Sequence, residues 1–233
     1  MPHQPQQLAL LFFSRSAPAE AKIKSLLGKS AAAKTNLVLH QRLQQKTEKL
    51  LEASGLPVFN WHEGLQTSQG FGPRLSQAVQ HVFSQGYTQV IIVGNDSPQL
   101  TQKHLQKAEE CLKANKPVIG ATPRGGAYLI GFSQTQFKAT AFANLAWQSN
   151  RLADQLCQFF GQPTVATLPT LADVNSLADV LDLAQQANYN PQLLFLKGFH
   201  QYFLKKVENT LIHFSIFKSI SVLRGPPVAV NLA

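Results

Sequence analysis

Six short apolar runs recur before residue 170, and helical patterns separate most of them. They are Leu8–Phe13, Pro57–His62, Thr88–Gly94, Pro117–Thr122, Ala127–Phe132 and Thr164–Leu168. A continuous apolar run of this length suits a strand covered on both faces. Helical spacing over 31–54, 74–85, 101–115 and 150–160 fills the intervals, with Gly55 and Gly86 as stop signals. Strands joined through helices predict a three-layer α/β/α domain with a mixed, mainly parallel sheet.

The third run, "VIIVGNDSPQL", ends abruptly on a carboxylate. Asp96 cannot sit unpartnered inside a strand, but it can stand at the strand mouth, where open α/β sheets bind ligands. Gly94 permits a tight exit and Pro98 stops the chain from continuing as sheet. Two readings stay open. Asp96 binds a divalent cation through oxygen, or Asp96 and Ser97 cap a helix starting near Gln99.

Other stretches carry chemistry of their own. "SRSAPAEAKIKSLL" follows the first strand and brings Arg15, Lys22 and Lys24 to its mouth, in what reads as a cationic loop shaped by Pro18. Such a loop is what a diphosphate requires. "GKS" at Gly28–Ser30 is not a phosphate-binding P-loop, because the earlier glycine it needs falls on Ile23. "QGFGPRL" delivers Arg74 to a helix start. In "TPRGGAYLIGF" the pair Gly125-Gly126 either lets backbone approach a ligand or makes a hairpin turn. "LADVNSLADV" sets Asp173 and Asn175 before a helix, where Ser176 and Asp179 can form a capping box.

Composition narrows the partners. Lys and Arg outnumber Asp and Glu by 21 to 12, a net charge of +9, which favours an anionic ligand or merely a basic surface. Nucleic acid has only this charge in its favour, since no binding motif is present, and it is not expected as a partner. Cys111 and Cys157 lack metal-type spacing and suit a reducing compartment. The N-terminus lacks the features of a signal peptide, and no run is long enough to span a membrane, so a cytoplasmic protein is expected. The histidines have no metal-ligand spacing, and a G-x-S-x-G nucleophile elbow is missing.

Near residue 188 the alternation stops. The expected division is an α/β domain over 1–187 and a C-terminal helical extension and tail over 188–233. Phe195, Phe199, Phe203, Val207 and Leu211 recur at helical spacing with Lys205 and Lys206 between them. Such a stripe docks on its own domain, forms a dimer or lies on a membrane. Gly225-Pro226-Pro227 ends any helix.

Taken in order, these motifs resemble a family of small bacterial glycosyltransferase-like proteins with the nucleotide-diphospho-sugar transferase (GT-A) fold, many known only as domains of unknown function. The resemblance covers about Leu8 to Leu183. Its carriers are "GNDSPQL", "GGAYLIG", "FGPRL", Trp147 in "LAWQSN", and "DVNSLAD". It implies a nucleotide-activated donor, sugar or nucleotidyl, as small-molecule partner. The acid after the central strand, here Asp96, would help hold Mg²⁺ or Mn²⁺ on the donor phosphates, and a first-loop lysine would contact them.

The chain departs from that pattern consistently. Arg124 stands where the family has the Asp of Asp-Gly-Gly-Tyr, and Asn175 where it has the second Asp of Asp-Val-Asp. Gly70 replaces an acid, Glu20-Ala21 replaces Pro-Gly, and Lys24-Ser25-Leu26 replaces Lys-Thr-Arg. Hard cations want several oxygen ligands, and Asp96 and Asp173 are few. The expectation is therefore a metal-independent transferase in which Arg15, Lys22, Lys24 and Arg124 meet the diphosphate. Gly125 and Gly126 would floor the acceptor site, Trp147 would stack, and Asp173 would serve as base. The alternatives are a catalytically silent nucleotide-binding or interaction protein and a metal-dependent transferase or nucleotidyltransferase.

Overall fold

In the computed structural model, the residues described are 7–27, 33–202 and 204–205. The "GKS" stretch, Phe203, Lys206, Val207, Leu211 and the Gly-Pro-Pro segment lie outside them. The chain divides into two compact units, 1–182 and 183–233.

The first unit carries a mixed, mainly parallel six-stranded sheet, ordered β2-β1-β3-β5-β4-β6. Its strands are β1 (Leu8–Phe13), β2 (Val58–Trp61), β3 (Gln89–Val93), β4 (Val118–Ala121), β5 (Ala127–Ser133) and β6 (Ala166–Leu168). Only β5 runs antiparallel to its neighbours, because a short turn joins it directly to β4; helical crossovers leave the rest parallel. The helices are α1 (Ala17–Ile23), α2 (Ala33–Glu52), α3 (Phe71–Ser84), α4 (Gln102–Lys113), α5 (Ala139–Ala143), α6 (Leu152–Phe160) and α7 (Leu177–Gln186).

The period-2 geometry of strands explains the continuous apolar runs. Ala9, Leu11, Val90 and Ile92 point into one core with Leu75, Val79 and Phe83 of α3, Phe142 of α5 and Leu156 of α6. Leu10, Phe12, Ile91 and Val93 point into the other, against Leu105, Ala108 and Leu112 of α4 and Leu51 of α2. Both faces are covered, so an alternating polar pattern never appears. β1 and β3 are central and parallel, with Phe12 paired to Val93, and they end at one edge of the sheet. β5 begins at that edge, Leu129 pairing with Val93.

Two helices differ from the sequence expectation. The presumed cationic loop after β1 contains α1, capped by the Ser16 side chain, with Pro18 in its first turn where the missing N–H costs nothing. Helix α4 begins at Gln102, not near Gln99: Thr101 and His104 form its capping box. Asp96 and Ser97 are thus released from the capping role.

In the second unit, Asn190 caps a single 3-10 turn at Pro191–Leu193, and residues 194–202 are helical. Among the described residues, no helix is long and apolar enough to cross a membrane.

Candidate active site

The chain leaves β1 at Ser14-Arg15 and β3 at Gly94-Asn95-Asp96-Ser97, side by side. A cavity of about 490 Å³ opens there, bounded also by the start of α3, the β4–β5 turn and the segments around Trp147 and Asp173. Its size falls within the range of ligand sites that enclose a small molecule.

Lys24 pairs with Asp96, Nζ to Oδ2 at 3.0 Å, with 15% of the lysine and 39% of the aspartate side chain exposed. Lys24 lies at the end of α1, whose seven residues therefore bring it back to the mouth of β3. The backbone carbonyl of Lys24 is itself held by Asn36 Nδ2 at 3.1 Å and the His40 ring at 2.9 Å, both on α2. Burial pushes the Asp96 carboxyl above its ordinary value; Lys24 opposes this, while the nearby charges of Glu20 and Asp173 reinforce it.

Arg15 lines the cavity and donates from Nη1 to Glu20 Oε2 at 3.2 Å. Arg74 lines it too, and its Nε donates to the carbonyl of Gly70 at 3.0 Å, fixing the guanidinium at the start of α3. Lys22 is exposed on α1 and forms no part of the cavity wall.

Arg124 reaches the same cavity but is occupied. Nη1 donates to Asp179 Oδ1 at 3.0 Å, and Nη2 donates to Asp179 Oδ2, Asp173 Oδ1 and the Asp173 carbonyl at 3.1, 3.1 and 2.8 Å. Asn175 Nδ2 donates to the other oxygen of Asp173. Asp179 closes the start of α7, accepting from the Asn175 N–H at 2.8 Å and the Ser176 hydroxyl at 2.9 Å. Burial would raise the Asp179 carboxyl, but hydrogen bonds from Arg124, Asn175 and Ser176 outweigh it and hold the group below its ordinary value. A single backbone bond, Val174 N–H to the Asp96 carbonyl at 2.7 Å, sets this clasp beside the mouth of β3.

The two glycines of the β4–β5 turn have separate tasks. Gly125 has φ +76°, and a Cβ there would meet Asn150 O at 1.9 Å. Its carbonyl accepts the Ala153 N–H at 2.9 Å, so it locks the turn to the start of α6 and does not line the cavity, whereas Gly126 does. Trp147 lines the cavity, packed on Phe71 at 5.6 Å and Phe142 at 4.9 Å between ring centres. A Cβ on Gly72 would meet the Ala143 carbonyl oxygen at 2.0 Å and the Trp147 indole at 2.5 Å, so the glycine of "FGPRL" is what lets α3 pack this close to the α5 end and the tryptophan.

Asn95 has no role in the sequence reading, and Ser97 has only that of a helix cap. Both are buried, at 8% and 7% exposure, and both line the cavity. The signal was present, since two small polar residues flanking a strand-mouth acid have no apolar core to join.

A divalent cation does not fit these residues as they stand. Among the described residues no cluster of three His, Cys, Asp or Glu side chains is placed to hold one. Asp96 and Asp173 are moreover each neutralised by a cation within 3.1 Å.

Comparison with known proteins agrees with the architecture. A model of the family "Uncharacterized protein conserved in bacteria (DUF2064)" matches residues 25–149. Among curated proteins nothing matches. A protein of Desulfovibrio desulfuricans G20, provisionally assigned as a nucleotide-diphospho-sugar transferase, is similar in structure with a TM-score of 0.71. It is 20% identical, over 87% of this chain and 98% of its own. Rv0371c of Mycobacterium tuberculosis H37Rv is more distant, at 16% identity and a TM-score of 0.49, over 77% of this chain and 98% of its own.

Proposed function

We propose that this chain, which belongs to the bacterial family of uncharacterized proteins DUF2064, binds a nucleotide-activated donor in the β1/β3 cleft and transfers its activated group without a metal. The α/β fold is that of a nucleotide-diphospho-sugar transferase relative. One observation carries the reading: Asp96, which lines a cavity of about 490 Å³, is met at 3.0 Å by Lys24, which stands behind it and is not itself part of the cavity wall. A cation and a carboxyl of raised proton affinity, held together at a sheet mouth, suit the departure of an anion and the acceptance of a proton.

In this reading Lys24, Arg15 and Arg74 hold the diphosphate. An acceptor hydroxyl attacks the activated carbon, the bond to the diphosphate oxygen breaks, and the bonding pair leaves with the diphosphate. Asp96 takes the hydroxyl proton, because burial raises its affinity for one. Asp173, the expected base, has its two oxygens engaged by Arg124 and Asn175 and positions the neighbouring segment instead. Arg124 is the clasp, not a leaving-group cation. Lys22 is given no contact. Gly126 and Trp147 border the acceptor side.

A catalytically silent nucleotide-binding protein has one observation in its favour: the site's cations are all paired with carboxylates or carbonyls already. A thermal-shift panel of nucleoside diphosphates and nucleotide sugars, with and without Mg²⁺ or Mn²⁺, separates the cases. Stabilisation indifferent to metal is expected, and release of free nucleoside diphosphate with an acceptor distinguishes transfer from binding. No shift from any nucleotide would overturn both readings.

A further inference from the structure

We propose that the cavity also holds a ring with one apolar face and one hydrogen-bonding edge, and that Asn95 and Ser97 read that edge. The inference rests on the donor-binding reading above and goes further, to the chemistry of what accompanies the diphosphate.

Asn95 is more than nine-tenths buried and lines the cavity, and its carboxamide has no hydrogen-bond partner among the described residues. The Ser97 hydroxyl stands likewise. Buried amides and hydroxyls are nearly always satisfied, because an unmade bond leaves the desolvation cost uncompensated. The one fully enclosed unpaired side-chain polar atom among the described residues is Trp61 Nε1. The polar atoms of Asn95 and Ser97 are therefore open to the cavity.

The same cavity has a wall without donors. Trp147 spends its N–H on the Phe142 carbonyl at 2.8 Å, leaving only its ring surface to a ligand. Phe71 extends that surface, tilted at 40°, and Phe13 meets Phe71 edge-on at 5.5 Å. Leu75 and Leu152 complete it. A diphosphate satisfies only part of this set: it can accept from the Asn95 amide N–H and the Ser97 hydroxyl, but it has no donor for the amide oxygen and no apolar face for the indole. A ring does both, since an amide offers a donor and an acceptor side by side and aromatic walls accept ring faces. The ring belongs either to the donor's base or to the acceptor.

The chain has two tryptophans, and Trp61→Phe leaves Trp147 as the sole reporter. That replacement breaks no hydrogen bond. In this background, quenching of Trp147 is followed with the four ribonucleosides and with methyl and phenyl glycosides at millimolar concentration, and pyrophosphate binding by calorimetry. At least one ring compound is expected to quench. Asn95→Ser should weaken it about tenfold and leave pyrophosphate affinity within about twofold. Asn95→Leu, of similar size and uncharged, gives the same comparison if the serine variant unfolds. Nucleoside quenching identifies the base, and glycoside quenching the acceptor ring. Pyrophosphate binding with no ring quenching would overturn the inference, as would equal weakening of both ligands by the Asn95 variants. Failure of pyrophosphate alone would strike the donor reading and leave a ring site.

Discussion

Two cation–carboxylate arrangements face one cavity, and they differ in how many bonds are left to make. At the mouth of β3 a single lysine meets a single acid, and Asp96 is a group under tension: burial raises it while Lys24 restrains it. At the β4–β5 turn, Arg124 is shared by two carboxylates and a carbonyl, and Asp179 is settled below its ordinary value. The first arrangement can exchange its partner for an incoming anion at small cost. The second would have to surrender several bonds at once. The difference is why we propose reactivity at the strand mouth and architecture at the turn.

The comparison is broken most severely by Lys24→Ala. Removing the cation paired with Asp96 should lower nucleoside-diphosphate affinity about 10- to 100-fold, measured by calorimetry. An equal loss from Arg124→Ala would erase the distinction between the two regions.

Arg124→Asp should come next. It sets a third carboxylate beside Asp173 and Asp179 with no cation among them, and like charges at such range destabilise. The melting temperature should fall by several degrees, about 1–2 kcal/mol for a domain of this size, and Mn²⁺ should restore part of it while leaving the parent chain unaffected. A variant whose melting ignored Mn²⁺ would show that the turn cannot become a cation site.

A smaller effect is expected of Asp179→Asn, which loses the Arg124 pair and weakens the α7 cap, about 1 kcal/mol by urea unfolding. Because the Asp179 carboxyl is held low, its contribution is complete above the ordinary carboxylate range and lost as pH falls through its folded value. The gap between parent and variant should therefore close in acid.

Asp96 should show the opposite sign and the smallest slope. Its raised carboxyl favours the protonated folded state, so stability is greatest below the ordinary carboxylate pKa and declines as pH rises through the raised value. Asp96→Asn should abolish that decline, and an unchanged slope would remove Asp96 from the argument.

The fold was legible because both core faces write the same message. Leu8–Phe13 and Val90–Val93 are apolar throughout only because helices cover each side, and all six strands fall where apolar runs end in turn residues. Helix α1 was legible too, in Ser16 as cap and Pro18 in the first turn, but proline was read as shaping a loop. The site was legible only in part. Asp96 announced itself as a charge ending an apolar strand, and Lys24 by its place after β1. The engagement of Arg124 by Asp173 and Asp179 was not visible, since it joins residues 49 and 55 positions apart through turns that no local pattern encodes. Asn95 was overlooked because an asparagine after glycine reads first as turn chemistry.

The bond from Val174 to Asp96 also sets an order of events in biosynthesis. The two strand exits of the cleft are complete by residue 97, yet its remaining border arrives some eighty residues later, carried on the segment leading into α7. A ribosome-bound chain lacking that segment has an open trough where the finished domain has a cavity. Closure of so long a chain loop falls late, and the ligand's stabilisation is available only to the finished domain.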